Sequence, residues 1–154
     1  MAEKAENEKK EKEVKDAAAK ENESAALAEA KKNSTMMKIY VDREGYVTFP
    51  DGSRYKGGLY GGIPEGEGKI IYTDGSIYDG EWRAGNYHGH GFLHFPDGSK
   101  YEGNWSKGKY HGKGAYVTKA NAKYEGEWSN GKYHGVGTFI WPDGSIYKGE
   151  WKNC

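Results

Sequence analysis

The sequence predicts an all-β protein: an elongated, twisted, single-layer antiparallel sheet of repeated β-hairpins, preceded by a charged tail that is partly helical or disordered. Composition is the first observation behind this. Only 35% of the 154 residues are hydrophobic, whereas 24 are glycine and 14% are aromatic. A helical or α/β core would draw on Leu, Ile and Val. Glycine and aromatic residues suit tight turns and pleated surfaces instead. The second observation is a fixed period. Tyr55, Tyr78, Tyr101, Tyr124 and Tyr147 stand 23 residues apart, and Gly57, Gly80, Gly103, Gly126 and Gly149 keep the same spacing. Such a period marks an array of one supersecondary unit stacked on its neighbours. The third is that each cycle holds two strand-like segments bounded by turn residues.

The elements follow in chain order. Residues 1–36 are Ala, Glu, Lys and Asn with almost no large apolar side chain, Val14 and Leu27 excepted. The pairs Glu8–Lys12, Glu11–Lys15 and Asp16–Lys20 favour helix, but no apolar stripe exists to dock one. The array occupies 37–154 as four to five units. In "YEGNW" (101–105), period-2 alternation puts Tyr101, Gly103 and Trp105 on one face and Glu102 and Asn104 on the other. In "GFLHF" (91–95), Gly91, Leu93 and Phe95 share one face and Phe92 and His94 the other. "PDGS" (96–99) joins such segments by a turn: Pro96 presets φ, Asp97 caps, and Gly98 takes the left-handed conformation. Where "KANA" (119–122) replaces it, Asn121 stands in the glycine slot, which Asn tolerates. The other connection, Gly108 to Gly112, reads as a longer glycine turn.

The cycle "YEGNWSKGKYHGKGAYV", closed by "DGS.Y", resembles the MORN repeat (membrane occupation and recognition nexus) over about residues 41–151. A partial unit leads, four units begin at Tyr55, Tyr78, Tyr101 and Tyr124, and a strand at 147–151 closes the array. The first full unit departs from the pattern, with Leu59 in the Trp slot and Glu65 in the His slot. The resemblance implies a twisted single-layer sheet and a scaffolding or binding role. Its members include junctional membrane proteins, cytoskeletal scaffolds and radial-spoke and other axonemal proteins. It therefore implies a non-catalytic subunit of a cilium or flagellum that binds protein partners within a larger cytoskeletal assembly. The alternatives are a membrane-associated adaptor for acidic phospholipids and an accessory regulatory subunit of an enzyme.

The residues themselves bound the chemistry. Net charge is zero and the one cysteine is Cys154, so neither an internal disulfide nor a cysteine zinc cluster can form. No run of about 18 apolar residues could form a membrane span, and "MAEKAENEKKEKEVKD" lacks the apolar core of a signal peptide. A cytoplasmic or cytoskeletal location is expected. "HGHGFLH" (88–94) gathers His88, His90 and His94, but His88 recurs as His111 and His134 and is a repeat residue. We therefore expect no metal. Gly103–Lys109 spells GxxxxGK by accident of the repeat: Tyr110 follows where a P-loop needs Ser or Thr. No nucleophile with its base stands apart, so neither catalysis nor a cofactor is expected. The expected partner surface is the aromatic face: Tyr78, Trp82, Tyr101, Trp105, Tyr124, Trp128, Tyr147 and Trp151. The early array (63–82) is acidic and the later part (100–132) basic, so Lys107, Lys109, Lys113 and Lys132 are candidate contacts for an anionic partner. Nucleic acid is not expected, for want of a groove-reading element. The edge of the last strand could pair two copies into a homodimer.

Overall fold

The structure, a computed structural model, describes residues 40–154. The segment 1–36, expected as a charged tail, lies outside the described residues. The array forms one open antiparallel sheet whose strands follow chain order without a crossover. A two-residue β1 (Val47–Thr48) leads into β2 (Arg54–Tyr60), β3 (Ile63–Ile71), β4 (Ile77–Arg83), β5 (Asn86–His94) and β6 (Lys100–Ser106). There follow β7 (Lys109–Val117), β8 (Lys123–Ser129), β9 (Lys132–Ile140) and β10 (Ile146–Lys152). The expected face assignments hold. Tyr101, Gly103 and Trp105 are buried while Glu102 and Asn104 are exposed, and Gly91 and Leu93 are buried while Phe92 and His94 are exposed.

Two kinds of turn alternate along the sheet. In the Asp-Gly turn, Gly98 has φ 89°, its N–H donates to the Phe95 carbonyl at 3.0 Å, and Asp97 accepts from the Ser99 N–H and hydroxyl at 2.9 and 2.6 Å. Asn121 takes the same left-handed place with φ 63°. The second turn corrects the sequence reading. What looked like a long glycine loop over 108–112 is a two-residue turn at Lys107 and Gly108, with φ 51° and 75°. Ser106 and Lys109 pair across it. Two successive positive φ values are what a type I′ hairpin needs. The strand then runs on through Tyr110 with a bulge opposite Gly103/Trp105, where Gly112 has φ 60°.

Glycine faces glycine in every strand pair from β2 to β10. Gly57 faces Gly68, Gly68 faces Gly80, and the line continues through Gly91, Gly103, Gly114, Gly126 and Gly137 to Gly149. Tyrosine rings lie over this line. A Cβ on Gly114 would sit 2.3 Å from Tyr101 Oη and 2.6 Å from its Cζ, and Gly91 and Gly137 meet Tyr78 and Tyr124 in the same way. Each ring spans its own strand's glycine to donate to the next carbonyl but one: Tyr101 to Asn104 at 2.9 Å, and Tyr78 to Glu81 and Tyr124 to Glu127 at 2.8 Å. The tryptophan two residues past each glycine locks onto the preceding strand. Trp82, Trp105, Trp128 and Trp151 donate their indole N–H to the carbonyls of Gly68, Gly91, Gly114 and Gly137 at 2.9–3.2 Å. A buried indole needs such an acceptor.

Trp105, 4% exposed, packs edge-to-face on Tyr78, Tyr87, Tyr101 and Tyr110 at 4.7–5.4 Å. Trp105→Ala should lower stability by about 3–5 kcal/mol, measured by thermal or urea melts. A loss of only a few tenths would place the ring in solvent.

Candidate functional site

Half-buried rings complete the aromatic face. Tyr87, Tyr110 and Tyr133 stack on Tyr78, Tyr101 and Tyr124 at centroid distances of 3.7–3.9 Å and interplanar angles of 9–18°. Each also meets a tryptophan on either side. The contacts Trp82–Tyr87, Tyr87–Trp105, Trp105–Tyr110, Tyr110–Trp128, Trp128–Tyr133 and Tyr133–Trp151 measure 4.7–5.4 Å. The result is a continuous Trp–Tyr row crossing β4 to β10. Tyr72, Phe95, Tyr116 and Phe139 flank it, all packed on the core. These outer tyrosines carry the same 23-residue period as the inner ones but were not singled out from the sequence, because their segment read as a loop.

Of the eight aromatic residues expected to meet a partner, six are buried by this packing: Tyr78, Trp82, Tyr101, Trp105, Tyr124 and Trp128 are 0–5% exposed. They form the core of the sheet, and the accessible part of the face is the outer row above them. Tyr147 differs. It is 44% exposed, because β10 pairs with β9 on one side and has no further strand beside it among the described residues. Trp151 is half-buried.

Charge is sorted across the strands rather than along the chain. The type I′ turns carry Arg83, Lys107, Lys109 and Lys132, with Lys152 at the end of β10, and no carboxylate. The opposite turns carry Asp51, Asp74, Asp97 and Asp143, with Lys119 the one departure. The Trp–Tyr row is therefore bordered by a basic rim. Lys107, Lys109 and Lys132 come together on that rim. Lys113 does not: it lies on the opposite face, beside a groove of about 590 Å³ lined by Glu102, Lys123, Glu125 and Glu127. The histidines are also resolved. His88 and His134 accept the Tyr78 and Tyr124 hydroxyls through their backbone carbonyls, at 3.5 and 3.3 Å; their imidazoles make no such bond. His90 lies on the charged face, where its N–H donates to Glu81 at 2.9 Å. Among the described residues no group of His, Cys, Asp or Glu could hold a metal ion, and no helix is long and apolar enough to cross a membrane.

Burial shapes the titration of the face. It pushes the Tyr55 phenol up to about 12, with Glu65 adding to the effect, and raises Tyr78, Tyr87, Tyr101 and Tyr110 further. The Ser hydroxyls hold Asp51, Asp97 and Asp143 below the usual carboxylate value. A raised phenol stabilises the fold fully below its ordinary pKa near 10 and loses that contribution as pH climbs through the folded value. Stability should therefore stay level toward alkaline pH and fall above about 10, with Tyr55 ionising near 12. Phenolate absorbance and circular dichroism followed together should change in step. Complete ionisation near pH 10 with the sheet intact would contradict burial of the inner rings.

Comparison with known proteins gives one family. The model described as "MORN repeat" matches residues 55–77, 78–100, 101–119 and 124–146. No curated protein matches the sequence. Among solved structures, the chain is similar to the SAS-4 (dCPAP) TCP domain of Drosophila melanogaster at 15% identity, over 71% of this chain and 75% of that one, with a TM-score of 0.29. A likeness that slight has no bearing on function.

Proposed function

The chain belongs to the MORN-repeat family, and from that premise we propose that it is a structural subunit of a cilium or flagellum, a radial-spoke-like component of the axoneme. An array of this kind is a repeat scaffold or binding module and in general non-catalytic. In our reading it holds other proteins through its aromatic face and its terminal strand edge. The observation that supports this reading is the Trp–Tyr row: an apolar, half-buried surface crossing seven consecutive strands, rimmed by charge, is the pattern of a protein-binding face. The unpaired side of β10, with Tyr147 beside it, would add a strand from a partner or a second copy.

Proximity labelling in a ciliated cell tests the setting. Axonemal proteins should dominate the labelled set, and recovery of plasma-membrane proteins alone would defeat the axonemal reading. Affinity purification should lose those partners on Trp141→Glu combined with Tyr147→Glu, two positions 42% and 44% exposed, with the melting temperature changed little.

A second reading has its own support. The cations on Arg83, Lys107, Lys109, Lys132 and Lys152 line one rim, a geometry that suits an acidic phospholipid surface at about 1 kcal/mol per cation. Liposome flotation separates the two readings. Binding that requires acidic lipid and vanishes on Lys107→Glu, Lys109→Glu and Lys132→Glu would make the protein a membrane adaptor. Retention of binding by Lys113→Glu is expected in that case, since Lys113 is off the rim.

A further inference from the structure

Resting on the reading that the aromatic face is a protein contact, we infer that its occupant is an acidic segment in polyproline II conformation, running across the strands along the Tyr87–Tyr110–Tyr133 row. Four observations converge on this chemistry.

The first is pitch. Successive outer tyrosines sit two strands apart, which is about 9.6 Å at the usual strand spacing. A polyproline II helix repeats every three residues, about 9.3 Å. A ligand in that conformation presents an apolar side chain to each ring cleft in turn without losing register over the row.

The second is backbone satisfaction. In the interior of the sheet every strand is paired on both sides, so no free edge accepts a β-strand there. The ligand must bring a backbone that needs no ladder, and polyproline II is solvated by itself.

The third is a set of unused donors. Tyr72 and Tyr87 hydrogen-bond each other through their hydroxyls. The hydroxyls of Tyr110, Tyr116 and Tyr133 bond to nothing in the chain. They stand where Tyr110 packs near Tyr116, at 6.2 Å between centroids, and Tyr133 near Phe139, also at 6.2 Å. The free carbonyls of a polyproline II ligand are natural acceptors for them.

The fourth is charge. Around Tyr110 and Tyr133 the near rim carries Lys107, Lys109 and Lys132, and the far turn carries Lys119 where the other cycles carry Asp. This stretch is basic on both sides. A carboxylate at every third residue would face the near rim once per repeat, in step with the rings.

The test uses the full chain and a fluorescent peptide of four Glu-Ala-Pro repeats, with anisotropy as the readout. Saturable binding is expected, weakening with salt as exposed charge pairs do. A peptide of the same composition with its three-residue spacing scrambled should bind about tenfold more weakly. Lys107→Glu with Lys109→Glu and Lys132→Glu should weaken binding at least about tenfold and remove most of the salt dependence. Tyr110→Phe and Tyr133→Phe keep the stacked rings and should each weaken binding by about 2- to 12-fold, with melting temperatures unchanged. Equal binding of the scrambled peptide would reduce the site to unspecific charge and overturn the inference. So would the absence of saturable binding, or tighter binding of an acidic helical peptide of equal charge. If the peptide fails while Trp141→Glu with Tyr147→Glu still abolishes partner recovery, the aromatic contact face stands and only the polyproline II occupant falls.

Discussion

A tyrosine ring can lie flat across a β-sheet only where the strands beneath it have no Cβ. That steric fact organises this protein. The glycines face one another from β2 to β10, and Tyr78, Tyr101 and Tyr124 fill the space they leave. Glycine in a strand ordinarily costs stability and packs nothing. Here the cost is offset by a buried ring, a phenol hydrogen bond to a strand carbonyl, and a tryptophan whose indole N–H reaches the glycine carbonyl on the strand before. Because each ring touches only its own strand and the adjacent ones, the unit can be repeated, and stability accrues through nearest neighbours.

The same arrangement explains how one layer of sheet can have a core. Trp105 is buried between the tyrosines of its own cycle and of the one before it. Tyr101 is sealed by Tyr110 from the strand that follows. Tyr147 has the same place in its cycle but no strand to supply the covering ring, and it is correspondingly exposed. A half-buried row of rings is the outer surface of this core, and the hairpin turns give it a basic border on one side and a mostly acidic one on the other. Function on such a scaffold belongs to that surface, since the buried rings are committed to the fold.

Much of this was legible in the sequence. Period-2 alternation placed Tyr101, Gly103 and Trp105 together, and the turn chemistry of "PDGS" and the substitution of Asn121 for glycine followed from φ preferences alone. Two features were not legible, for physical reasons. Gly108 and Gly112 both adopt positive φ, one in a turn and one in a bulge, and two such demands in five residues look like a loop. Tyr110 was therefore left out of the face it completes. The clustering of lysines was also misjudged: along the chain they form a basic half, but register sends Lys107, Lys109 and Lys132 to the rim and Lys113 to the opposite face. Sequence distance does not reveal on which side of a hairpin a charge lands.

The most direct test of the glycine–tyrosine constraint is the stability of Gly114→Ala set against Gly131→Ala. Gly114 has no left-handed backbone, and its alanine methyl would lie 2.3–2.8 Å from Tyr101 ring and hydroxyl atoms. Gly131 is left-handed at φ 83°, with open space around it. If ring coverage is what the glycine line exists for, urea melts should show Gly114→Ala losing well over the roughly 1 kcal/mol expected of the strained turn position. Equal losses at the two sites, or a near-neutral Gly114→Ala, would show that the glycines serve backbone conformation and not the rings.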